Sequence, residues 1–168
     1  GQGEGRERRR HDLDLDGRNA FLVAMTDEVA ALCLANNYLQ TLALSLAEHA
    51  GLGVLPDLRA LVAHLETRGL LDRAVESLPD DETIMARAAT GKGFTRPELA
   101  TLLAYAKNAL STDLLAGTAP DDPHLGLELF RYFPRKLNER FPDAVANHRL
   151  RREVIATVLA NQLINRGG

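Results

Sequence analysis

The stretch from Thr26 to Gly51, TDEVAALCLANNYLQTLALSLAEHAG, restricts the fold more than any other part of the chain. Leu32, Ala35, Leu39, Leu42 and Leu46 recur at alternating spacings of three and four. That period returns side chains to one face of a helix, whereas a strand turns every second residue to the opposite face. The spacing predicts a helix that opens at Thr26, a cap-type residue followed by two acids suited to the positive end of the helix dipole. Gly51 and Gly53 are expected to stop it. The stripe is as regular as a bundle seam. Val29, Cys33, Leu34 and Leu44 add apolar surface on other sides, so the helix calls for cover from several directions. Cys33, four residues after Val29, reads as a small core hydrophobe.

The same period governs the rest of the chain. Pro56 suits a first helical turn, and Leu58, Leu61, Val62 and Leu65 follow at helical spacing up to Gly69. A short helix is expected over Leu70 to Leu78, and another after Pro79 with Asp80 or Asp81 as its cap. Thr118 to Asp122 reads as a turn, and Pro123 opens a further short helix. The last helix is expected from Ala144 or His148 to Arg166, with Leu150, Val154, Ile155, Val158, Leu159 and Leu163 on one side. Aromatic residues make up 5% of the chain and Trp is absent, so Leu and Ala must supply the core; both favour helix. The segments TLALSLAE, TLLAYAKN and TVLANQLI look alike but recur at no fixed period, which argues against a solenoid. No alternating strand pattern occurs. The expected fold is all-α, a bundle-like domain of about seven to nine helices without a sheet. It should occupy residues 17–168, after a solvated, disordered lead-in over residues 1–16 that is in part a cloning addition.

The segment TGKGFTRPEL, residues 90–99, raises the possibility of a phosphate loop. A P-loop needs a longer glycine loop, a Lys followed by Ser or Thr, and a preceding strand. Lys92 is followed by Gly93 and Phe94, and an Ala-rich helix precedes it. A Rossmann fingerprint fails for want of a strand and a third glycine. A helix boundary explains more: Gly91 and Gly93 end one helix, Thr95 and Glu98 have the spacing of a capping box, and Pro97 falls in the first turn of the next. Leu99, Leu102, Leu103, Ala106, Leu110 and Leu114 then form its stripe.

Other chemistry is sparse. His11, His49, His64, His124 and His148 show no metal-ligand spacing, and no Gly-x-Ser-x-Gly elbow is present. The residues assign no catalytic, cofactor-binding or metal site. Arg131, Tyr132, Phe133, Arg135, Lys136, Arg140 and Phe141, with Arg149, Arg151 and Arg152, form the best basic patch, yet Glu139, Asp143 and Glu153 are interspersed and the net charge is -3. Arg6, Arg8, Arg9 and Arg10 meet the acidic run Asp12, Asp14, Asp16. Neither cluster supports a nucleic-acid partner. No unbroken run of about 18 apolar residues suggests a membrane span. The amides Asn36 or Asn37 and Asn161 or Asn165 interrupt apolar faces, and are expected to be partly buried and hydrogen-bonded.

Three long segments, MTDEVAALCLANNYLQTLALSLAE, GFTRPELATLLAYAKNAL and RYFPRKLNERFPDAVANHRLRREVIATVLANQLINRGG, resemble in the same order the C-terminal helical part of the large bacterial NAD-specific glutamate dehydrogenases. The resemblance runs from Gly17 to the end. It implies a fragment of a cytoplasmic oxidoreductase of amino-acid catabolism that converts L-glutamate, NAD and water to 2-oxoglutarate, ammonia and NADH. The family's catalytic lysine and aspartate and its Rossmann domain belong to a region that precedes this segment, and none of their motifs occurs here. NAD is thus implied for the parent enzyme, and no cofactor is expected in the segment. The implied partners are the catalytic region of the same polypeptide and further copies in a homo-oligomer, with no nucleic acid and no membrane. The implied role is structural or regulatory, against the alternative of an autonomous helical protein-interaction module. Packing on a missing core would leave a contiguous apolar patch above about 600 Å² on the isolated chain.

Overall fold

A computed structural model describes residues 14–167. Helix α1 spans Leu15–Ala50, α2 Leu55–Thr67, α3 Asp81–Ala88 and α4 Arg96–Ala116. Short helices α5 (Gly126–Tyr132), α6 (Arg135–Arg140) and α7 (Pro142–Ala146) lead to α8, Arg151–Gly167. Single 3-10 turns cover Gly51–Val54, Ala119–Asp121 and Pro123–Leu125. No strand occurs among the described residues, and the all-α expectation holds.

The packing is built on two cores joined by the α4–α8 pair, the most extensive helix contact among the described residues. Val62 and Leu65 of α2 meet Leu102 and Ala109 of α4, closed by Leu71 and Leu78 of the connecting loop. Leu129 of α5, Val145 of α7 and Ile155 of α8 form the second core, with Phe130, Phe133 and Leu137 packed around it. Leu65, Ile84, Leu129 and Ile155 are fully buried. Glu128 is buried among these apolar groups, and it is compensated there: Arg131 donates to one carboxylate oxygen and Gln162 Nε2 to the other at 2.6 Å, tying α5 to α8.

Glycine stops α2 and α3 by one device. At the end of α3, Gly91 (φ +80°) donates to the Ala88 carbonyl and Lys92 donates to Arg87, both at 3.0 Å. At the end of α2, Gly69 (φ +65°) donates to Glu66 at 2.8 Å and Leu70 to Leu65 at 2.9 Å. These are Schellman closures, which need a left-handed residue that glycine supplies without a Cβ clash. The region Leu70–Leu78 departs from expectation. It is a loop holding one hydrogen-bonded turn: the Asp72 carboxylate accepts from Ala74 and Val75, and the turn closes at Ser77, a non-glycine residue with φ +55°. Asp72 drew the backbone into a turn instead of a helix.

Helix α1 differs from expectation in three respects. It begins at Leu15, capped by Asp14, whose carboxylate accepts from Gly17 at 2.7 Å. Thr26, read as the cap, lies inside the helix, and its hydroxyl donates back to the Leu22 carbonyl. The start therefore falls two residues inside the stretch expected as lead-in, while residues 1–13, including His11 and the basic cluster Arg6 to Arg10, lie outside the described residues. The second difference is exposure. Every residue from Val29 to Leu39 is exposed, and the stripe residues Leu32, Leu39, Leu42 and Leu46 are exposed too. Cys33 is a free, exposed thiol and no part of a core. The buried side is a different one, Ala43 with half-buried Gln40, Leu44 and Ala47. The third concerns hydropathy: within Leu15–Thr67 one stretch with mean hydropathy 1.3 is long and apolar enough, by length and composition alone, to cross a membrane. A search for unbroken runs passes over it because Asn36, Asn37 and Gln40 interrupt it.

The C-terminal region follows its proline pattern more finely than expected. Pro142 opens a separate helix, α7, so that α8 begins only at Arg151. On α8, Ile155 is buried and Val154, Val158 and Leu159 are half-buried, while Leu150 and Leu163 are exposed.

Candidate functional site

TGKGFTRPEL forms the joint between α3 and α4. Gly91 and Lys92 close α3. Thr95 and Glu98 form the capping box of α4, with the Glu98 carboxylate accepting from the Thr95 backbone N–H at 2.7 Å. The same carboxylate holds Arg87 of α3 at 2.9 and 3.0 Å, so one acid caps α4 and fastens the preceding helix to it. Arg96 reaches α1: Nη1 donates to Glu48 at 2.8 Å and to the Ser45 hydroxyl at 3.1 Å, and Nη2 to the Thr41 carbonyl at 3.4 Å. The adjoining shallow depression, lined by Glu82, Thr83, Arg87, Lys92 and Thr95, has one basic group already neutralised by Glu98. The capping reading stands. The reach of Arg96 and the Arg87–Glu98 pair leave no sign in local spacing, because Arg96 and Glu48 are 48 residues apart.

The remaining ion pairs also brace helices. Arg68 of the α2 end holds Asp113 of α4 through two hydrogen bonds, at 2.5 and 2.8 Å. This side-chain pairing draws the Asp113 carboxyl below its ordinary value and raises the Arg68 guanidinium above its own. Arg73 donates to Glu66 at 2.8 Å, and Arg59 to Asp81 at 3.1 Å, lowering the Asp81 carboxyl. Tyr105 donates to Glu76 at 2.6 Å, which fixes the Asp72 turn on α4 and raises the phenol.

In the basic patch, Arg131 pairs with Glu128, Arg135 with Glu139, and Arg152 with Asp121. Arg140 sits near the rings of Phe21 and Phe141, which meet edge to face at the α1–α7 junction. Of the aromatics in the patch, Phe133 is half-buried and packs on the second core, while Tyr132 and Phe141 are exposed. His148 is half-buried against Phe133; His49, His64 and His124 are exposed. No group of three His, Cys, Asp or Glu that could hold a metal occurs among the described residues. Of the amides, Asn36 and Asn37 are exposed, Asn161 is half-buried and Asn165 is buried. The expected hydrogen bonding fails for Asn165, whose Oδ1 has no partner.

A cleft of about 330 Å³ lies where α1, α4 and α8 meet. Gln40 and Leu44 line it from α1, Lys107, Asn108 and Ser111 from α4, and Thr157 and Asn161 from α8, over an apolar floor of Leu103 and small alanines. Burial pushes the Lys107 ammonium below its ordinary value. Sequence reading did not single out this set, because its members lie on three helices far apart in the chain.

The chain matches known proteins along almost its entire length. The family model described as "Glutamate dehydrogenase, C-terminal" matches residues 91–168, beginning at the glycine that closes α3. The NAD-specific glutamate dehydrogenase of Pseudomonas aeruginosa is 46% identical over 157 residues, covering 94% of this chain and 10% of that protein. That of Halomonas elongata is 44% identical over 156 residues, 93% of this chain and 10% of the relative. That of Mycobacterium tuberculosis is 38% identical over 153 residues, 91% of this chain and 9% of the relative. The chain spans about a tenth of the length of the curated relatives it matches.

Proposed function

The chain belongs to the C-terminal region of the NAD-specific glutamate dehydrogenase family, and from that premise we propose that it is a structural segment that packs against the catalytic part of its parent enzyme. The parent oxidatively deaminates L-glutamate with NAD in the cytoplasm, and the segment contributes no catalytic or cofactor-binding group. One observation carries the reading: the apolar stretch Val29–Leu39 of α1 is uncovered throughout, with Leu34 69% and Tyr38 68% exposed. Uncovered apolar surface of this kind marks an interface. The occupant is the remaining polypeptide, because nine-tenths of the relatives' length lies outside the matched segment. A bilayer is a poorer occupant, since Asn36, Asn37 and Gln40 would meet hydrocarbon in mid-helix while Ala43 already packs inside the protein.

The test uses both chains. Alone, the 168-residue chain should bind a hydrophobic dye, self-associate in sedimentation, and give no heat on titration with NAD. In the parent enzyme, Leu34→Glu should lower activity and loosen assembly while leaving the isolated chain folded. A dye-silent, strictly monomeric segment whose removal leaves the parent unaffected would favour an autonomous module. Flotation with liposomes would favour a membrane. Micromolar NAD binding would overturn the claim that the segment holds no cofactor.

A further inference from the structure

We propose that the cleft between α1, α4 and α8 is a binding site for a small organic carboxylate, with Lys107 as its cationic contact and Gln40, Asn108, Ser111 and Asn161 as its hydrogen-bonding wall. The observation is a set of unused polar groups that converge from separate helices. None of these five side chains makes a hydrogen bond or ion pair within the described residues. Elsewhere on the molecule the basic side chains that bridge helices are matched: Arg59, Arg68, Arg73, Arg87, Arg96 and Arg152 all hold acids. Lys107 is half-buried and has none, and no Asp or Glu lines its cleft.

An unmatched ammonium among amides and hydroxyls suits an anion that can also accept and donate neutral hydrogen bonds. The apolar floor, with Leu44 and Leu103, suits a short hydrocarbon stem on that anion. A volume of about 330 Å³ admits a metabolite-sized molecule and no polymer. Thr157 does not join the wall, since its hydroxyl already donates to the Glu153 carbonyl at 2.8 Å. The three walls come from the three longest helices, so an occupant would bear on how α1 sits against the α4–α8 pair. Gln40 and Leu44 follow directly on the uncovered stretch Val29–Leu39, on the side of α1 that packs toward α4 and α8.

The experiment is an NMR titration of the 168-residue chain with butyrate and succinate, with inorganic phosphate as a separate arm. Carboxylates should shift the amides of residues 40–44, 103–111 and 157–161 and leave the Glu128 region unmoved. Lys107→Met, which keeps the apolar stem, should weaken that binding about tenfold or more, the scale of one charge-assisted hydrogen bond. Asn161→Leu should weaken it less, and both variants should retain the helical circular dichroism of the wild type. The proposal is overturned by an absence of shifts at tens of millimolar ligand, by shifts scattered outside the cleft, or by an unaltered affinity in folded Lys107→Met. Tighter binding of phosphate than of either carboxylate would overturn the ligand class.

Discussion

Helices α1 and α4 look alike on paper and behave oppositely. Both are rich in Leu and Ala, and both carry a stripe at helical spacing. In α4 the stripe lies on the covered side: Leu99, Leu102 and Ala106 are buried, and Leu103, Leu110 and Leu114 are half-buried. In α1 the stripe is open, and only Ala43 is buried. The pattern reports that a face requires apolar cover. It does not report which body supplies that cover, and in α1 nothing among the residues 14–167 covers it. The number of apolar sides is the more informative signal. Helix α4 sets Arg96, Glu98, Lys107 and Asp113 against its stripe, whereas α1 between Val29 and Leu39 has no charged residue at all.

Stability measurements break or sharpen this contrast. The largest effect should come from Leu102→Ala on α4, a buried side chain whose loss leaves a cavity and costs about 2–5 kcal/mol, read as a lower urea midpoint. Leu34→Ala on α1 should cost under about 0.5 kcal/mol in the same assay. Equal costs would mean that α1 is covered. Next, Glu98→Ala removes both the α4 cap and the partner of the part-buried Arg87 at once; a loss of about 1–3 kcal/mol is expected, since each removed function alone is worth roughly one. No single side chain between Val29 and Leu39 should approach that value.

Acid should separate the helices further. Pairing with Arg68 holds the folded Asp113 carboxyl below its ordinary value of 3.8. The stabilisation is therefore fully present above that value and is lost as pH falls through the lower, folded one. Thermal melts between pH 5 and pH 2 should show a shallower acid decline for Asp113→Asn than for wild type, a small difference because the pair is solvent-exposed and salt weakens it. The smallest effect belongs to α1. Asn37→Ala replaces an exposed, unpartnered amide with the best helix former and should stabilise by about 0.5 kcal/mol or less. A clear loss instead would reveal a partner for that amide.

What could be read in advance follows the reach of each signal. The caps and stops rest on contacts three to five residues apart, and Asp80, Thr95 with Glu98, Gly69 and Gly91 all lie where spacing puts them. The Asp72 turn escaped because apolar spacing at Leu70, Leu71 and Leu78 also suits a short helix, and the competing side-chain hydrogen bond carries no periodic mark. Thr26 was mistaken for a cap because a hydroxyl before two acids suits either a helix start or a back-bonded interior position; Leu15 to Met25 supplied the missing turns. The carboxylate cleft was illegible for a different reason: Gln40, Lys107 and Asn161 come together only after α1, α4 and α8 have packed.

The uncovered middle of α1 has a consequence for the order in which the chain assembles and comes apart. Within residues 55–116 the pairs that brace the helices lie at most 45 residues apart, the span from Arg68 to Asp113. Helix α1 reaches farther: beside Arg96, 48 residues from Glu48, its Glu28 accepts from the Lys136 amide 108 residues away. Long loops must close before such contacts form, so α1 should dock late in folding and detach early in unfolding. Its middle, with neither anchor nor cover, should then exchange its amide hydrogens soonest among the long helices. In this chain the longest helix, which holds the largest number of leucines, is the one expected to open first.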